Sequence, residues 1–102
     1  MSAEPLAGLT RTSDDLDVRR RKALYHAWHR GTRELDLLLG RFADAHIADL
    51  SDAEMDEFER LMEVPDRDLF GWILGRTDTP QNYDGPVLSR VMAFAAANPL
   101  TG

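Results

Sequence analysis

Apolar residues along this chain recur at intervals of three and four, and no stretch alternates convincingly in the manner of a strand. The clearest series is Leu35, Leu38, Leu39, Phe42, Ala43, His46 and Ile47, which lays one continuous face on a helix from about Thr32 to Ile47. Gly40 falls on the flank of that face, where a neighbouring helix can approach closely. Upstream, Leu24, Tyr25 and Trp28, with Leu16 or Val18, mark the buried side of a helix that starts near Asp14 or Asp15 and runs to about His29. Downstream, Ser51 and Glu54 have the spacing of a capping box, and Leu50 and Met55 that of a hydrophobic staple. Met55, Phe58, Leu61 and Met62 then form a third face, which Pro65 ends.

Asp66 and Asp68 open a short fourth helix filled by Leu69, Phe70, Trp72, Ile73 and Leu74, with Gly75 as its stop. A polar loop spans 76–85. A fifth helix begins near Pro86, exposes a face of Leu88, Val91, Met92 and Ala95 to the core, and stops at Pro99. The pattern predicts an all-α fold, a compact bundle of five short helices over residues 14–98, preceded by a flexible tail over 1–13.

A chain of 102 residues holds one such domain. With no cysteine it has no disulfide, thiolate or cysteine-zinc chemistry. The net charge of −6 argues against a nucleic-acid partner, because that binding rests on neutralising phosphates. The charge is segregated, however. Residues 19–41 hold seven Arg and Lys against Glu34 and Asp36, and residues 44–68 hold ten Asp and Glu against Arg60 and Arg67. "RRRK" at 19–22 reads as solubility and loose steering, and the acids of the third helix as a solvated face. No apolar run is long enough to cross a bilayer, and "MSAEPLAGLTRTSDD" lacks a signal core, so the expected compartment is the cytoplasm.

Candidate chemistry is sparse. His26 and His29 lie three apart but nothing nearby completes a metal site with them, and His46 is distant. There is no phosphate-binding glycine loop, nucleophile elbow or dinucleotide fingerprint. What remains is "RGTRE" at 30–34. In one reading Gly31 ends the first helix as a left-handed cap, Thr32 caps the second, and Arg30 and Glu34 form at most a weak exposed pair. In the other, the glycine clears a spot where another backbone can approach, flanked by Arg30 and Glu34 as hydrogen-bonding groups. One glycine can do both.

Arg30-Gly31-Thr32-Arg33-Glu34 reads as RGxxE, followed by Asp36, Leu39 and Phe42 and then by "LSDAEMDEFERLMEVPDRDLFGWILG". Together these motifs resemble the SdhE/Sdh5 family of succinate dehydrogenase assembly factors, over roughly residues 20–97. The resemblance implies a five-helix protein that is no enzyme itself. It implies a partner, the succinate dehydrogenase flavoprotein subunit, in which the protein promotes covalent attachment of FAD to a histidine. Bacterial members also serve the related fumarate reductase flavoprotein. FAD is then handled in the partner and not bound stably by this chain. Arg30, Gly31 and Glu34, with Arg33 and Asp36 beside them, become the expected partner-binding residues. A small helical interaction or regulatory module with a different partner is the alternative.

Overall fold

A computed structural model describes residues 15–99. The tail expected over 1–13 lies outside them. Among the described residues there are five α-helices and no strand: α1 (Val18–Trp28), α2 (Arg33–His46), α3 (Asp52–Met62), α4 (Asp66–Ile73) and α5 (Pro86–Ala97). Two single 3-10 turns, Ile47–Asp49 and Gln81–Tyr83, lie in the connections.

α1 and α2 form the most extensive helix pair. It depends on Gly40. A Cβ built there would lie 2.2–2.5 Å from the six-membered ring of Trp28, so the indole occupies the space that the missing side chain vacates. Trp28 is buried, and its Nε1–H donates to Asp44 Oδ1 at 3.3 Å. The core then continues through Leu35, Leu39, Phe42, Met55, Phe58, Leu69 and Leu88. Phe42 stacks on Phe58 at 6.1 Å between ring centres and meets the edge of Phe94 at 5.7 Å.

α3 starts as its sequence predicts. Ser51 accepts from Glu54 N, and the Glu54 side chain accepts from Ser51 N. That contact and Arg90 hold the Glu54 carboxyl below its ordinary range. Gly75 has φ +73 at the end of α4, and Pro86 opens α5.

Several expectations need correction. α1 begins at Val18 rather than at Asp14 or Asp15. Tyr25, expected inside, is 53% exposed, and of the two early candidates Leu16 is buried while Val18 is 56% exposed. The reason is the partner. α1 meets α2 and α3 along Ala23, Leu24, Ala27 and Trp28, and two of those are alanines that a search for bulky residues passes over. Pro65 does not end α3, which stops at Met62, but is the N-cap of α4. Val87, not anticipated, is fully buried.

The charged segments also behave differently. Arg19 of α1 reaches α3, where it bonds Asp56 and, at 2.8 and 3.0 Å, Glu59. Its guanidinium keeps the Glu59 carboxyl below the usual glutamate range. Arg20 donates to the carbonyls of Ile47 and Leu50. Glu57 accepts from the amides of Val87 and Leu88 at 3.1 and 3.0 Å, and so caps α5. The acids of α3 are therefore not a uniformly solvated face. Four of them, Glu54, Asp56, Glu57 and Glu59, tie it to α1 and α5.

Gly40→Ala tests the α1–α2 contact. Helix propensity alone favours alanine by about 1 kcal/mol. The collision with Trp28 reverses the sign, with an expected net loss of about 1–3 kcal/mol in chemical unfolding. A gain in stability would show that the indole is not held there.

Candidate functional site

The RGTRE segment is the link between α1 and α2. His29 is the C-cap of α1, and its amide bonds the carbonyl of His26. Gly31, two residues on, has φ +102, a backbone conformation that only glycine adopts without strain. A Cβ at that position would meet nothing within 4 Å. Thr32 occupies the N-cap of α2, yet its hydroxyl gives α2 no cap bond and donates to Asp66 Oδ2 instead. The amides before the helix are held by Asp36, whose Oδ1 accepts from Arg30 N at 2.6 Å and Gly31 N at 3.2 Å.

Arg30 departs most from expectation. Its side chain is 4% exposed and points inward. Nε and Nη2 both lie on Asp66 Oδ1, at 2.9 and 2.7 Å. Nη1 donates to the carbonyl of Met62 and Nη2 to that of Val64. Met62 is the last residue of α3 and Asp66 the first of α4. The carbonyls at the end of α3 suit a cation because the helix dipole is negative there, and the positive start of α4 suits the acid Asp66, which the cation in turn pairs. One guanidinium serves both, so Arg30 is no partner for Glu34.

The structure thus divides the five expected binding residues. Arg30 and Asp36 face inward and are committed, one to the α3–α4 junction and the other to the turn's amides. Gly31, Arg33 and Glu34 are exposed. Sequence reasoning missed Asp66 as a member of the site. It read that acid as a helix start, which it is, but nothing local pairs it with a residue 36 positions away. Glu34 also borders a cleft of about 270 Å³ formed with Leu38, Phe70, Leu74 and Ala95.

Among the described residues no group of three metal-binding side chains gathers, and no helix is long and apolar enough to cross a membrane. His29 stacks on Tyr25, and His46 packs between Phe42 and Phe94.

A small helical module that fixes one turn from behind and leaves its outer side clear has the geometry of a docking protein. The comparisons give that class a family. The chain belongs to the Sdh5 family, described as "Flavinator of succinate dehydrogenase", which matches residues 21–95. It is 37% identical over 79 residues to the FAD assembly factor SdhE of Acetobacter pasteurianus, covering 78% of this chain and 72% of that one. It is 35% identical over 86 residues to the mitochondrial succinate dehydrogenase assembly factor 2 of Dictyostelium discoideum, covering 84% and 61%. With the Debaryomyces hansenii protein of the same name the identity is 37% over 84 residues, covering 82% and 53%. The chain therefore spans between about half and three quarters of the length of these relatives. No solved structure matches it.

Arg30→Lys separates an internal role from a surface one. A lysine is a compact point charge and cannot serve Asp66 and two carbonyls in one plane. The expected loss is about 2 kcal/mol in urea unfolding, from charged hydrogen bonds left unmade. An unchanged unfolding midpoint would mean that the guanidinium is not part of the fold.

Proposed function

We propose that this chain is an assembly factor that docks on the flavoprotein subunit of succinate dehydrogenase and promotes covalent attachment of FAD to a histidine of that subunit. The observation that carries the reading is the family match over residues 21–95, which includes the whole RGTRE turn. The turn's geometry supports it: Gly31 is open to solvent, and Arg33 and Glu34 stand exposed beside it.

The chemistry belongs to the partner. Flavinylation requires the histidine to be held in line with the 8α carbon of the flavin, and charge developing on the ring to be stabilised. A rigid module bound to the flavoprotein favours the conformer in which those groups are aligned, and so acts by shifting a population. In this reading Gly31 allows the partner's backbone to approach, and Arg33 and Glu34 supply polar contacts. Arg30 and Asp36 contribute by holding the turn from behind. The related fumarate reductase flavoprotein is proposed as a second client. FAD stays with the partner, and the cytoplasm is the compartment in which client and factor meet.

The test is deletion of the gene, followed by in-gel flavin fluorescence of the denatured flavoprotein subunit. Fluorescence is expected to fall, and the intact gene to restore it. Gly31→Arg should fail to restore it, whereas Gly31→Ala, which pays the same backbone strain of about 1–3 kcal/mol, should retain it. Undiminished fluorescence in the deletion strain under aerobic growth would contradict the role. Equal failure of both variants would assign the glycine to the turn's backbone rather than to clearance.

A further inference from the structure

The outer face of α1 is not used by the fold. Val18, Lys22, Tyr25 and His29 lie within roughly 60° of one another at about 3.6 residues per turn. Two of the three large apolar side chains exposed among the described residues, Val18 and Tyr25, are on this stripe. Tyr25 and His29 are stacked at 3.9 Å with planes 19° apart, and His29 Nδ1 lies 2.7 Å from the Tyr25 carbonyl. The two rings thus make a single ordered platform at the surface, whose organisation is complete before any ligand arrives.

Charge distinguishes the same face. Of the four cations in "RRRK", Arg19 is matched by Asp56 and Glu59, and Arg20 lies 3.3 Å from Asp17. Arg21 donates to the carbonyl of Leu16, and among the described residues no acid pairs with it. Lys22 has no partner among the described residues. A shallow open depression of about 400 Å³ lies over Arg21, Lys22, His26 and the Tyr25–His29 platform. A cleft of about 580 Å³ lies between α1 and α3, lined by Val18, Lys22, His26, Met62, Glu63 and Glu59, the last held by Arg19. A chain of net charge −6 therefore presents a cationic, aromatic stripe beside the cleft between α1 and α3. The stripe ends at His29, one residue before the RGTRE turn, so a body seated on Gly31 has this face directly beside it.

We infer that the α1 stripe is a second docking surface, which takes an acidic segment of the same flavoprotein. Lys22 and Arg21 meet its carboxylates, and an apolar or aromatic side chain of the segment lies on Tyr25 and His29. The inference rests on the functional reading above and names a contact that the reading does not require. Opposite charge supplies orientation and encounter rate, and the aromatic platform supplies a desolvated anchor.

The experiment measures binding of the full chain to the purified flavoprotein subunit at low and at moderate salt. Lys22→Glu and Tyr25→Ala alter exposed groups, so their unfolding midpoints should match that of the unsubstituted chain. Each should weaken binding about tenfold, and Lys22→Glu should also flatten the salt dependence. Affinities within about twofold of the unsubstituted chain, with Gly31→Arg still abolishing binding, would overturn the α1 surface and leave the functional reading standing. Failure of the unsubstituted chain to bind the flavoprotein overturns that reading and this inference together. A control with vesicles of anionic phospholipid addresses the other anionic surface. Binding there that Lys22→Glu removes, with flavoprotein binding untouched, would assign the stripe to lipid and contradict the proposal.

Discussion

Four helix ends meet at one guanidinium. Arg30 follows the cap of α1 and precedes Thr32 at the cap of α2, and it bonds the last residue of α3 and the first of α4. Each of those ends has polar groups that the helix itself cannot satisfy. Burying an arginine is expensive unless its donors are used, and here Nε and both Nη atoms have acceptors. The arrangement therefore depends on all its members. Thr32 and Asp36 bring the turn to the same point, the first through Asp66 and the second through the amides of Arg30 and Gly31. The rest of the bundle then takes its relative placement from a junction that also fixes the outward turn.

That dependence links fold to function. A turn that has to present a bare backbone to a partner needs positive φ, which is costly for any residue but glycine, and it needs to be held while nothing covers it. Arg30 and Asp36 do the holding from the protein side. Ordering the turn in advance removes an entropy cost from docking. In the proposed function the motif of five residues contains two kinds of member, those offered to the partner and those that keep the first kind in place. Charge elsewhere follows the same economy. Arg19 and Glu57 each join α3 to another helix, and Lys22, with no partner among the described residues, stands on the outer face of α1.

Much of this was legible in the chain. The face from Leu35 to Ile47, the Ser51–Glu54 box, Gly75 and Pro86 are local signals, and each was found where expected because its cause lies within a few residues. Gly40 was read correctly as a place of close approach, although which ring fills it depends on the α1–α2 crossing. Tyr25 was misplaced because α1 buries alanines along its contact line, and a small residue leaves little trace in an apolar pattern. Arg30 was turned outward for a different reason. Its neighbours in sequence are exposed, and its true partners lie 32 to 36 residues away. Long-range polar pairing has no periodicity to betray it.

The central claim is that a turn held rigid from within docks on the flavoprotein without remodelling the bundle. Amide hydrogen exchange of the chain, alone and bound to the flavoprotein subunit, reads this directly. The account predicts that the amides of Arg30 and Gly31, already bonded to Asp36, are protected in the free chain. On binding, new protection should be confined to the α1 face and the turn through Glu34, with the α3–α4 junction unchanged. Fast exchange of those two amides in the free chain, or new protection centred on the acidic side of α3, would contradict it.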